Sequence, residues 1–382
     1  MRIVDVNGFY AEAGGGVRRY VDSKFEAAVR GGHELIVIAP GQASALEERD
    51  GGAVRWIPSP PMPFDPRYRR FTDRAAVWTA LDAARPDVIE ASSPWGSAEL
   101  AGGWPGDAAR SLVFHQDVVA AYAHTIGDRC IPRSWIDAAA WPWWARLRRL
   151  SRQFDVTIAG GEWLAERLLR LGVGNARAVP FGLETDNFSP AKRDLDLKAE
   201  LLSRCGTGRE GRLLLAVSRF HPEKRLPMVI AAFASARRQR PDLGLVVIGE
   251  GLARRGVERA VARTPGVVLL GAVADRARLA AILASADLFV HGSAAETYGL
   301  ATAEAIASGL PVVTPDYGGA ADLARRGWSR LYRTGDAADC GRAILQALAG
   351  QINEPSASPP GGLDDHFTAL FTLYEGLVTP AR

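Results

Sequence analysis

The chain has 382 residues, with 46 Lys and Arg against 43 Asp and Glu, a net charge of +3, 47% hydrophobic and 23% charged residues. This length favours two domains over one, the composition is that of a soluble globular protein, and the charge is too small to argue for nucleic acid. Three widely spaced cysteines (Cys130, Cys205, Cys340) make neither a disulfide framework nor a zinc cluster, which fits a reducing cytosol. The opening MRIVDVNGFY lacks the long apolar run of a signal peptide, and no stretch reaches the roughly 18 apolar residues of a membrane span. A cytoplasmic protein is expected, soluble or resting on the inner face of the cell membrane without crossing it.

Strand and helix alternate along the chain. RIVDV, ELIVIAP, AVRWI, DVIEA, SLVFH and VTIAG are short apolar runs bounded by Gly, Pro or Asp, with helical patterns over 17–30, 70–84 and 162–171 among them. LLLAVS, LGLVVIG, VVLLG, DLFVHG and LPVVTP follow, alternating with helices near 224–239, 252–263, 275–284, 299–308 and 336–349. Near-continuous apolar strands separated by helices mean parallel sheets covered on both faces. The expected fold is therefore α/β, two Rossmann-like domains facing across a cleft. The polar, proline-bearing stretch FSPAKRDLDLKAE (188–200) marks the break, giving an N-terminal domain over 1–190 and a C-terminal domain over 191–360. EPSASPPGGLDD reads as a surface linker, and the amphipathic HFTALFTLYEGLV after it as a final helix (364–382) packing back on the first domain.

Ligands of open parallel sheets bind beyond the carboxyl ends of the strands. After LLLAVS come Arg219, His221, Glu223, Lys224 and Arg225; Arg219 and Lys224 lie on one strand-to-helix turn and can converge on a diphosphate. After DLFVHG the chain reads ETYGLATAE. Glu296 and Glu304 straddle Gly299, and the free N–H groups around Tyr298, Gly299 and Leu300 make an anion site at a helix start. Carboxylates accept hydrogen bonds from sugar hydroxyls and a helix N-terminus accepts phosphate, so this segment can hold both halves of a nucleotide sugar. Gly14, Gly15 and Gly16 follow the first strand but do not spell G-x-G-x-x-G, and His115 stands at the end of SLVF. The other histidines show no ligand spacing with His115, so no metal site is expected.

Together these residues resemble the retaining GT-B glycosyltransferases of family four. VPFGLETDNFSP (179–190) is similar to that family's hinge-proximal signature, SRFHPEK (218–224) to its donor-phosphate turn and VVIGEG (246–251) to its base-proximal strand and loop. The spacing of Glu296 and Glu304 resembles its E-x7-E hallmark, and GGGVRRY its N-terminal glycine loop. The resemblance spans nearly the whole chain with the motifs in family order. It implies that Arg219 and Lys224 neutralise the donor diphosphate, that Glu304 binds the ribose and that Glu296 contacts the transferred sugar. Tyr298, Gly299 and Leu300 would cradle phosphate, Gly15 and Gly16 would approach it from the first domain, and His115 would lie beside the reactive face of the sugar. Gly249, Glu250 and Gly251 would lie near the base.

The activity so implied is transfer of a hexose from GDP-mannose or a UDP-hexose to a hydroxyl of a glycolipid or polysaccharide-precursor acceptor. Configuration is retained, and cationic groups with a helix dipole replace a metal, so neither metal nor other cofactor is expected. The departing phosphate oxygen can take the acceptor proton; a double-displacement nucleophile stays open, with Asp117 read as structural. The DLD at 194–196 lies in the interdomain stretch and reads as incidental. Rival readings are another GT-B activity, such as a nucleotide-sugar epimerase or phosphorylase, and a non-catalytic nucleotide-sugar-binding protein. No motif marks a pyridoxal-binding lysine, and Arg219, Lys224, Glu296 and Glu304 are all present, which favours transfer. The segment 129–153 groups Trp135, Trp141, Trp143 and Trp144 with Arg146, Arg148, Arg149 and Arg152, and reads either as a core helix with a basic outer side or as a peripheral membrane contact. The Pro-rich loop 58–71, ending in Arg67, Arg69 and Arg70, falls where the family builds its acceptor site.

Overall fold

In the computed structural model, residues 1–11, 16–63, 65–66, 68–128, 130–184 and 187–379 are described. The chain gathers into two compact units, one of Met1–His115, Ala139–Pro180 and the chain from Leu363 onward, the other of Gln116–Ala138 and Phe181–Gly362. The second unit thus starts at Phe181 rather than at 191, and it also takes residues 116–138 from the half of the chain expected to be N-terminal.

The first unit is built on β1 (Arg2–Val6), β2 (Glu34–Gly41), β3 (Ala45–Arg49), β4 (Gly52–Pro58), β5 (Val88–Ala91), β6 (Ala109–Phe114), β7 (Val156–Ala159) and β8 (Ala176–Ala178). They form one sheet in the order β3-β4-β2-β1-β5-β6-β7-β8, parallel except for β3, which runs antiparallel to β4 along the edge. β1 sits between β2 and β5, with Val4 beside Ile36 and Ile89. The run ALEER of β3 is too charged to read as a strand, and it forms because an edge strand needs a partner on one side only. The helix Leu363–Val378 lays Phe367, Leu370, Phe371 and Tyr374 into the core formed by Ile3, Val37, Val54 and Val113.

The second unit carries β9 (Arg212–Val217), β10 (Leu243–Ile248), β11 (Val267–Gly271), β12 (Leu288–Val290), β13 (Val312–Pro315) and β14 (Ser329–Tyr332), all parallel, in the order β11-β10-β9-β12-β13-β14. Both faces are covered: Leu214 and Ala216 join one core cluster, and Leu213 and Leu215 join the other. That alternation is why these strands read as unbroken apolar runs. The stretch expected to be a loose break contains the helix Leu195–Arg204, capped by the Asp194 carboxylate on Leu197 N at 2.9 Å and burying Leu197, Leu201 and Leu202. Asp194 of the DLD is therefore a helix cap, and Asp196 pairs with Arg209 at 3.2 Å. Asp117 likewise accepts from Ala120 N at 2.9 Å at the start of the π-helical turn Val119–His124.

Candidate active site

In the second unit the strand order reverses between β9 and β12, so the crevice beyond their carboxyl ends is where a ligand belongs. The turn after β9 is zipped to the loop after β10: Phe220 N donates to Glu250 O at 2.7 Å and Ala253 N donates to Phe220 O at 2.8 Å. Gly249 has φ 141°, and a Cβ there would lie 1.8 Å from Ser218 O, so the two loops approach this closely only because the residue is glycine. Glu250 is exposed and pairs with Arg254 at 3.4 Å.

Lys224 and Glu296 meet across this crevice, Lys224 Nζ to Glu296 Oε1 at 2.6 Å, with Glu223 Oε1 3.1 Å from the same ammonium. His291, the residue after β12, brings Nε2 to 3.1 Å from the same Glu296 oxygen. Burial works to raise the Glu296 carboxyl, but Lys224 and His291 outweigh it and hold it far below the usual carboxylate range. Burial works to lower Lys224, and Glu296 and Glu223 outweigh it in turn. Lys224 is thus a paired, buried cation rather than an open one. Arg219 is exposed, and among the described residues no ion pair involves it. Arg225, next to Lys224, takes the left-handed conformation at φ 48° and pairs with Asp128 at 2.8 Å, which ties the 116–138 segment to this turn.

The second carboxylate has a different partner. Gly299, at φ 103°, starts the helix Leu300–Ala307, on which Glu304 is held by Arg276 Nη2 at 2.9 Å. Arg276 also lies 3.4 Å from Glu184 and over the Phe188 ring at 4.6 Å. Sequence reasoning passed over Arg276 and His291, because pairing across three elements leaves no local spacing to read. Tyr298 is buried, its phenol pushed up to about 12 by burial, and Phe181 meets it edge-on at 5.9 Å. Leu300 is exposed, and the first bonds of this helix are those of Thr302 N and Ala303 N to Gly299 O, at 2.9 and 3.0 Å.

His115 belongs to the first unit, at the carboxyl end of β6, with Tyr20 edge-on at 6.2 Å. Burial drives its pKa down to about 4, Glu90 pulls it up and Lys24 pushes it down, so its imidazole is neutral at pH 7. Beneath it Lys24 Nζ meets Glu90 at 2.6 Å and Asp5 at 3.8 Å, all fully buried. Gly16 is the exposed first residue of the helix Gly16–Arg30; Gly15 and Arg67 lie outside the described residues. The tryptophans of 129–153 divide. Trp144 is buried and Trp143 packs on Trp95 with ring centroids 4.9 Å apart, whereas Trp135 and Trp141 are 71% and 65% exposed.

A family described as Glycosyltransferase Family 4 matches residues 14–187, and one described as Glycosyl transferases group 1 matches 211–350. A GDP-mannose-dependent alpha-mannosyltransferase of Mycolicibacterium smegmatis is 33% identical over 305 residues, covering 77% of this chain and 74% of the relative. The chain belongs to the group 1 glycosyltransferases. Another relative of this glycosyltransferase, the GDP-mannose-dependent alpha-(1-6)-phosphatidylinositol dimannoside mannosyltransferase of Mycobacterium tuberculosis, is 28% identical over 347 residues, 87% of each chain. Sucrose-phosphate synthase of Thermosynechococcus elongatus shares the fold, with TM-score 0.67, 19% identity and coverage of 99% and 96%. Anabaena HepE, solved with UDP and glucose, does so at TM-score 0.68, 17% identity and coverage of 98% and 100%. The glycosyltransferase thus has the expected two Rossmann-like α/β domains, and Arg219, Lys224, Glu296 and Glu304 all fall inside the group 1 match.

Proposed function

We propose that this glycosyltransferase moves a mannosyl residue from GDP-mannose to a hydroxyl of a glycolipid or polysaccharide-precursor acceptor, with retention of configuration and without a metal ion. The observation that carries the reading is the Lys224–Glu296 pair, placed where the second sheet reverses, in a chain whose relatives use GDP-mannose. Breaking the anomeric C–O bond leaves negative charge on the diphosphate and an oxocarbenium-like sugar. Arg219 and the start of the helix Leu300–Ala307 offer positive potential to that leaving group, and Lys224, whose charge Glu296 and Glu223 offset, offers it the third N–H of its ammonium. Glu296 uses Oε1 for Lys224 and His291 and presents Oε2 to a sugar hydroxyl. Glu304, steadied by Arg276, takes the ribose hydroxyls, and Gly249–Gly251 face the base. The neutral His115 offers a hydrogen bond at the sugar without adding charge that would oppose the cationic transition state.

Contact with the membrane surface fits the same reading. In the first unit Trp141 is exposed, as are Arg149 and Arg152, a combination that suits anionic head groups. Among the described residues no helix is long and apolar enough to cross a membrane.

Calorimetric titration with GDP and with UDP, EDTA present throughout, tests the donor. GDP is expected to bind at least tenfold more tightly than UDP. Tight UDP binding would move the donor to a UDP-hexose, and no binding of either would overturn transfer from a nucleotide sugar. NMR of the anomeric product then reads retention directly.

A further inference from the structure

In the first unit the strand order reverses between β1 and β5, the crevice position of that sheet. β5 ends at Ala91, and the loop that follows carries Trp95 to the N-cap of the helix Gly96–Gly103. The loop after β1 lies alongside, since a Cβ on Gly8 would be 3.8 Å from Ser97 Oγ. An N-cap is a position for Ser, Thr, Asp or Asn, and Trp95 makes no capping bond there. Helix stability has been given up for a tryptophan that leaves 40% of its surface open at a ligand-binding edge.

Trp95 is held firmly. Its ring lies 4.9 Å from that of Trp143, tilted by 39°, and Arg146 sits 5.8 Å and 5.4 Å from the two centroids. Arg146 is itself anchored, Nη1 donating to Pro94 O at 2.9 Å and Nη2 to Glu99 at 2.6 Å. A pyranose presents a face of C–H bonds, weakly positive, and a rim of hydroxyls. The negative π face of an indole matches the first, and the Arg146 guanidinium and Glu99 carboxylate match the second. We infer that Trp95, backed by Trp143 and Arg146, is a stacking platform for a pyranose ring, the sugar of the acceptor. Calling it the acceptor's sugar rests on the transfer reading above; the sugar contact itself does not.

The test is saturation-transfer NMR of the full chain with methyl α-D-mannopyranoside, on wild type, Trp95→Ala and Trp95→Phe. Wild type is expected to saturate the sugar's C–H protons, Trp95→Ala to bind about tenfold more weakly and Trp95→Phe, which keeps a ring, to fall between. No transfer from wild type, or equal transfer from Trp95→Ala, overturns the platform. GDP titration of the same samples keeps the two readings apart. Retained GDP binding in Trp95→Ala shows that the variant is folded, so that lost sugar contact then belongs to Trp95. Absent GDP binding in wild type counts against the donor reading, while the NMR still decides the platform.

Discussion

A buried ammonium and a buried carboxylate each lose several kcal/mol of hydration, so Lys224 and Glu296 persist in the second unit only because they meet. Their 72-residue separation is closed by the parallel pairing of β9 with β12, which brings the two loops to one sheet edge. Removing one partner strands the other. Lys224→Ala is expected to destabilise the protein by about 3 kcal/mol and to cut turnover by about 100-fold or more. Glu296 is the depressed carboxyl, so its stabilisation is present above the ordinary 4.5 and is lost as the pH falls from there toward the native value; in Lys224→Ala, which removes the strongest cause of the depression, less is lost over that window. Urea unfolding of both proteins at pH 5 and pH 3 checks this, with the variant losing less than wild type between them, and equal pH dependence would sink it. Glu304→Ala is expected to weaken GDP binding by about 2 kcal/mol in calorimetry while sparing the Lys224–Glu296 pair. At this scale Glu296, Glu304 and Arg219 stand out as candidates from their places after apolar strands. That Lys224 is neutralised by Glu296, and that His291 and Arg276 steady the two carboxylates, was not legible, because none of these partners is local in sequence.

The helix Leu363–Val378 is the element that completes the first unit's buried polar group. Tyr374 donates to Glu90, and His366 meets Tyr20 OH and Pro180 O, each at 2.9 Å. Burial holds His366, like His115, near 4. A histidine kept neutral in the fold but free to charge at 6.5 when unfolded costs stability as the pH falls from 6.5 toward 4. Glu90, held below its ordinary value although burial would raise it, acts in the same direction; Asp5, raised by burial to about 6, acts against it. The clean measurement is therefore a difference: between pH 7 and pH 5, His366→Gln is expected to lose about 1–2 kcal/mol less than wild type. Parallel thermal-melting curves would exclude that role for His366. The helix itself was readable from its amphipathic period, as were RIVDV and LLLAVS from their apolar runs. β3 and the helix Leu195–Arg204 were not: three of the five residues of β3 are charged and its Leu46 is exposed, and the helix buries only Leu197, Leu201 and Leu202 in a stretch that is otherwise largely polar.

Across the whole molecule the residues assigned to the donor lie in the second unit, at β9, β10, β12 and the helix Leu300–Ala307, apart from the N-terminal glycines and His115. Saturating GDP should therefore slow amide exchange over 218–225, 249–253 and 296–302 and leave β1, β2 and β5 unchanged, by hydrogen-exchange mass spectrometry. At about 100 times the dissociation constant the gain in stability should be about 2.7 kcal/mol. Protection confined to the first unit would refute the assignment. The amino-acid order alone determined the class of fold, because alternation of buried strands and helices leaves little choice but parallel sheets, and it named the strand ends where ligands are proposed to bind. Only the tertiary structure decided which charges neutralise one another, that 116–138 joins the second unit through Asp128 and Arg225, and that Trp95 stands open beside Trp143 and Arg146. Those outcomes depend on contacts between residues far apart in the chain, where burial and distance set the energies and local pattern carries no record of either.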